Sequence, residues 1–88
     1  MINLKVGTAG TLESNDCIIT VIHSEKLIIE VNSVVYDFFG KHIESFIKNV
    51  LDDLKINHVK VICDDKGALD YTIKARLLTA LERLGVIQ

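Results

Sequence analysis

The sequence predicts an α+β fold: a two-layer sandwich in which a mostly antiparallel sheet of three to four strands is covered on one face by two helices. Three observations carry this. Short β-branched runs of consistent register recur along the chain, as strands with one buried face require. Two longer segments repeat their apolar residues at spacings of three and four, which gathers them on one side of a helix. The chain has 88 residues, 49% of them hydrophobic, enough for one core and too few for a second, so residues 1–88 read as a single domain.

Taken in order, Ala9-Gly10-Thr11-Leu12-Glu13 reads as a strand. Ser14-Asn15-Asp16 reads as a turn, because these side chains bond nearby backbone and tolerate tight bends. If the flanking strands pair, Ser14 lies at an exposed hairpin tip. Cys17-Ile18-Ile19-Thr20-Val21-Ile22 is the next strand, and His23-Ser24-Glu25-Lys26 is a polar connector of hairpin length. Leu27-Ile28-Ile29-Glu30-Val31 reads as the returning strand.

A helix follows, with Val35, Phe39, Ile43, Phe46, Ile47, Val50 and Leu54 on its apolar face and Asn32 or Ser33 as its cap. Gly40 inside it costs up to about 1 kcal/mol relative to Ala, and close packing or a bend is the only visible reason for it. Val59-Lys60-Val61-Ile62-Cys63 is a further strand, and Asp64-Asp65-Lys66-Gly67 is a polar break. Leu69, Ile73, Leu77, Ala80, Leu81 and Leu84 mark the second helix, with Gly85 as its stop. Alternation puts Cys17, Ile19, Val21, Leu27, Ile29, Val31, Val59, Val61 and Cys63 on the helix-covered sheet face. Thr20, Glu30 and Lys60 fall on the mixed face.

Composition excludes several classes of function. A net charge of −2 and a pI near 5.8 offer no basic footprint for nucleic acid. No apolar run approaches the roughly 20 residues that cross a bilayer. The start, Met1-Ile2-Asn3-Leu4-Lys5, lacks the pattern of a signal peptide, so the expected compartment is the cytoplasm. Cys17 and Cys63 sit within apolar runs and read as two buried thiols.

No catalytic constellation emerges. Glu13 and Asp16 bracket Ser14 and read as solvated turn carboxylates, since a turn lacks the burial that tunes an acid or base. Asp64 and Asp65 at a strand end suggest a cation, yet two carboxylates are weak support for a metal. Their reading is a loop-shaping role that favours the next helix start through its dipole. His23, His42 and His58 are scattered without zinc spacing. Gly7-Thr8-Ala9-Gly10 is too short for a phosphate-binding loop. The expectation is a protein that does no chemistry by itself.

Two stretches point further. Ala9-Gly10-Thr11-Leu12-Glu13-Ser14, with Asp16 close behind, resembles the prosthetic-group attachment segment of the citrate lyase acyl carrier (gamma subunit) family. Asp64-Asp65-Lys66-Gly67-Ala68-Leu69-Asp70, followed by Ala75-Arg76-Leu77, is similar to that family's second signature. Asn32-Ser33 and Phe39-Gly40 extend the resemblance over nearly the whole chain. It departs at Asn15, where the family more often has Ser or Gly, and at Cys17, where it has an aliphatic residue.

The resemblance implies that Ser14 carries 2'-(5''-phosphoribosyl)-3'-dephospho-CoA through a phosphodiester, with a terminal thiol that holds acetyl and then citryl as thioesters during citrate cleavage to acetate and oxaloacetate. It implies an alpha (acyl transferase) subunit, a beta (citryl lyase) subunit and a prosthetic-group transferase as partners. Glu13, Asp16, Asp64 and Asp65 become candidate recognition residues, and no metal or catalytic residue is implied. The alternatives are the carrier subunit of malonate decarboxylase or citramalate lyase, and a protein-interaction module that is never modified.

Overall fold

The computed structural model describes residues 5–88, so the signal-peptide reading of Met1-Ile2-Asn3-Leu4 lies outside the described residues. Six elements follow one another: β1 (Val6–Gly10), β2 (Cys17–His23), β3 (Ile28–Ser33), α1 (Tyr36–Asp53), β4 (Val59–Asp65) and α2 (Asp70–Leu84). The sheet order is β1-β2-β4-β3. β1–β2 and β2–β4 are antiparallel, and β3–β4 is parallel. The expected α+β sandwich is present, with one parallel pair in its sheet.

Within it, the expected hairpin between residues 17–22 and 27–31 does not form. β4 lies between β2 and β3, pairing Val61 with Val21 on one side and with Ile29 on the other. The burial patterns follow this order. Every second residue of β4 is buried and none is exposed, whereas β3 has no fully buried residue. The central strand is shielded by a neighbour on each side, and β3 is left at the edge. The crossover through α1 then makes β3 and β4 parallel.

Cys17, Ile19, Val21, Val59, Val61 and Cys63 point to the covered face and are all buried. α1 lies over β3 and α2 over β1 and β2. α2 delivers Ile73, Leu77, Ala80, Leu81 and Leu84, and α1 delivers Ile43, Ile47, Val50 and Leu51. The other sheet face is mixed and carries the Lys60–Glu30 ion pair at 3.3 Å. Gly7 is what allows α2 to lie so close to β1. A Cβ there would come within 2.0 Å of the Ala80 carbonyl oxygen.

Three boundaries differ from the sequence reading. The first strand ends at Gly10, whose φ of 112° turns the chain out of the sheet, so residues 11–13 leave the expected strand. Asn32 and Ser33 finish β3 instead of capping α1. The helix starts after Val35, with no side-chain cap, and the Ser33 hydroxyl accepts the Val35 N–H at 3.1 Å. Asp64 and Asp65 belong to β4, where pairing to Ile18 and Cys17 continues, so the polar break begins at Lys66.

Gly40 acquires its reason. The Tyr36 ring lies flat over it, and a Cβ would fall 2.1 Å from that ring. The Tyr36 hydroxyl then reaches Glu44 at 3.1 Å. Gly85, at φ 93°, closes α2 as expected, donating to Leu81 and Glu82.

Candidate functional site

Ser14 is exposed, as the sequence predicts. It sits between β1 and β2 at the centre of a four-residue turn closed by the Asp16 N–H donating to the Glu13 carbonyl at 3.1 Å. Its neighbour Asn15 takes the left-handed region at φ 66°, which asparagine tolerates better than most residues. Among the described residues no hydrogen bond ties down the Ser14 hydroxyl.

The backbone around it is tied down. The Asn15 N–H donates to the Lys66 carbonyl at 2.8 Å, and the Lys66 N–H donates to the Asp16 carbonyl at 2.9 Å. These reciprocal bonds join the turn to the loop between β4 and α2. Two segments distant in sequence thus form one structure, stitched by backbone groups that any side chains leave in place.

Asp16 departs from the expected solvated carboxylate. Arg76 on α2 grips it with two parallel bonds, Nε to Oδ1 at 3.0 Å and Nη2 to Oδ2 at 2.8 Å. Thr11 donates its hydroxyl to Oδ2 at 2.6 Å, and the Cys17 N–H donates to Oδ1 at 2.7 Å. The Arg76 hydrogen bonds, followed by those of Thr11 and Cys17, hold the Asp16 carboxyl far below the usual carboxylate range. The fork-on-carboxylate geometry fixes orientation as well as charge. Glu13, by contrast, is exposed, and its backbone N–H donates to the Thr11 hydroxyl at 3.2 Å.

Asp65 shapes the second loop from inside. Its side chain is buried at 2% exposure. It accepts the Ser33 hydroxyl at 2.7 Å, the Gly67 N–H at 3.0 Å and the Ala68 N–H at 2.8 Å. A buried carboxylate is tolerated only when so many donors surround it. Asp64 is half-buried and accepts the Asn32 amide at 3.3 Å. The acid that complements the start of α2 is Asp70 in its first turn, not the Asp64-Asp65 pair. Among the described residues no three His, Cys, Asp or Glu side chains converge as a metal ion needs.

Cys17 and Cys63 are buried free thiols on adjacent strands. Sharing a hydrogen bond with Cys17, together with burial, pushes the Cys63 thiol strongly upward, so it is no nucleophile at neutral pH.

Sequence reasoning passed over Arg76 and Thr11 as individual actors, and it took Ser33 for a helix cap and not for a partner of Asp65. A signal for Arg76 existed. Residues 73, 76, 77 and 80 form one helical stripe, and a guanidinium on a stripe that faces the sheet needs a carboxylate partner. Beside the turn, the starts of α1 and α2 frame an open groove of about 860 Å³ that also takes in Asn15.

The citrate lyase acyl carrier protein of Treponema denticola is 47% identical over 79 residues, covering 90% of this chain and 91% of that protein. The chain belongs to the citrate lyase acyl carrier protein family. The carrier of Halothermothrix orenii is 45% identical over 80 residues (90% of this chain, 85% of that protein), and that of a Haemophilus influenzae strain is 47% identical over 79 (90% and 83%). A family profile described as ACP, malonate decarboxylase delta subunit (MdcD), matches residues 5–84. The fold is also seen in the crystal structure of a Pseudomonas malonate decarboxylase hetero-tetramer in complex with malonate. One of its chains superposes with a TM-score of 0.79 at 17% identity, over 94% of this chain and 89% of that one. That likeness concerns the fold alone.

Proposed function

We propose that this chain is the acyl carrier subunit of a citrate lyase complex in the cytoplasm, and that Ser14 is the covalent anchor of a phosphoribosyl-dephospho-CoA arm. The observation that carries it is an exposed hydroxyl, unbonded among the described residues, on a turn that backbone bonds and the Asp16–Arg76 pair tie to the rest of the fold. A serine that receives a bulky phosphoryl-linked group needs open space around its oxygen, and Ser14 is exposed with no partner among the described residues. The residues present therefore fit the group. No base stands beside the serine, which suits attachment by a separate transferase that supplies its own activation.

When bound, the arm supplies a thiol that holds acetyl and citryl groups as thioesters for the partner subunits. Everything else the chain contributes is placement. Asp16, Arg76 and the Asn15–Lys66 bonds fix the anchor against the packed sandwich behind them. Tethering raises the encounter of arm and partner site to an effective concentration on the order of millimolar for a short flexible link. Glu13 and Lys66 are exposed on the two joined loops and within an attachment enzyme's reach.

The test is intact mass of the protein produced with its native attachment enzymes. One CoA-like adduct is expected on the wild type and none on Ser14→Ala. An unmodified wild type under those conditions sinks the reading and leaves an interaction module in its place.

A second reading, the carrier of malonate decarboxylase, is favoured by the family profile and by the fold neighbour. The identities near 45% to citrate lyase carriers favour the first. Affinity capture on the loaded protein distinguishes them by whether a lyase or a decarboxylase subunit is retained.

A further inference from the structure

We propose that the groove beside Ser14 is the resting seat of the adenine ring of the chain's own prosthetic arm. This rests on Ser14 carrying that arm and concerns what the arm does once attached. The groove is walled by Val35 and Phe39 from the start of α1 and by Leu69 and Tyr71 from the start of α2, with Asn15 at its margin.

Its walls are apolar yet uncovered. Phe39 is 56%, Leu69 58% and Tyr71 73% exposed. Phe39 and Leu69 occupy stripe positions that the spacing assigns to the core, and both turn outward here. Apolar side chains gathered at one place on a small surface mark a binding site. The volume falls in the range of small-molecule sites, about 300–1,000 Å³.

The occupant follows from connectivity and charge. Asn15 is covalently adjacent to Ser14, so any group fastened to the Ser14 oxygen begins at the groove's edge. In the proposed arm, a phosphoribosyl unit joins the serine to the adenosine, which makes adenosine the first large apolar surface beyond the anchor. No lysine or arginine lines the groove, and its charged members are Asp65 and Asp70 with His42. Nothing there attracts the diphosphate. A flat, neutral base is what the chemistry accepts, with the exposed Phe39 and Tyr71 rings for its faces. The His42–Asp70 pair, at 2.9 Å, stands at the rim for its polar edge. Seating the base moves the arm's pivot from Ser14 to the groove and leaves the thiol end free.

The protein has two tyrosines and no tryptophan, which permits a direct test. In Tyr36→Phe, loaded with its native attachment enzymes and verified by mass, Tyr71 alone emits. A single base–aromatic stack favours the seated state by about fivefold, so emission is expected to fall to about half or less of the unloaded protein. The amide resonances of Ala68 and Leu69 are expected to shift together with it. Phe39→Ser should return both signals toward the unloaded values.

An adduct by mass, with Tyr71 emission and these resonances unchanged, overturns the seat while leaving Ser14 as anchor. Absence of the adduct overturns the anchor, and the seat falls with it.

Discussion

Around Ser14 the neighbouring residues hold shape so that the serine itself need not. Ser14→Ala is therefore expected to abolish the adduct and to leave the melting temperature unchanged, within the roughly 0.5 kcal/mol typical of surface substitutions; scanning calorimetry beside intact mass checks both. Asp16 is the opposite case. Its carboxyl lies below the ordinary 3.8 when folded, chiefly through Arg76, so the unfolded chain takes up the proton first as acid is added. The contribution of this pair is complete above pH 3.8 and is lost as pH falls from there toward the folded value. Asp16→Asn should lose less stability than the wild type between pH 6 and pH 3 in urea titrations. The same variant should load more slowly, because the turn loses its tie to α2. Asp65→Ala strands the Ser33, Gly67 and Ala68 donors, and denaturant melts should show a loss of about 1–3 kcal/mol for each donor left unsatisfied.

At the scale of elements, packing distance is the governing quantity. Gly7→Ala forces α2 off β1, because the added carbon has the Ala80 carbonyl in its place. An overpacked site of this kind costs roughly 1–3 kcal/mol, which lowers the melting temperature of a domain this size by about 5–20 °C. Calorimetry on the single variant checks it. The elements themselves were legible. Alternation in residues 17–22 and 59–63 and three-four spacing in residues 69–84 are local signals, and local physics produces both elements. The ends were less so. Gly10 stops β1 through a backbone angle that its identity only permits, and Asn32-Ser33 looked like a cap because nothing local shows that β4 runs alongside them. Phe39 and Leu69 satisfied the stripe rule and are nonetheless exposed, beside the groove between the starts of the two helices.

For the molecule as a whole, the sheet order was the part that local reasoning could not reach. A four-residue polar connector is compatible with a hairpin, and only competition among strands for the centre decides otherwise. The site shared this property. The turn that holds Glu13, Ser14 and Asp16 was legible by itself, and so was a polar loop following Asp64-Asp65. The bonds that unite them, Asn15 to Lys66 and Asp16 to Arg76, span more than fifty residues and leave no local pattern. One core supports all of it, so damage anywhere in that core reaches the Ser14 turn. Leu77, fully buried where α2 meets the sheet, is the simplest probe. Leu77→Ala should cost about 2–5 kcal/mol in denaturant unfolding, and Leu77→Asp should leave no cooperative transition.

The threading of β4 between β2 and β3 also sets a schedule for biosynthesis. While the ribosome has released only the first three strands, their eventual middle neighbour is still untranslated, and the partner carbonyl at Lys66 does not yet exist. The serine's bend thus acquires its final form only after the chain has grown past residue 76 and Arg76 has emerged. On the proposed reading, loading with cofactor is then a post-translational event that inspects a finished fold, and a chain stalled before that point presents the same hydroxyl without that shape.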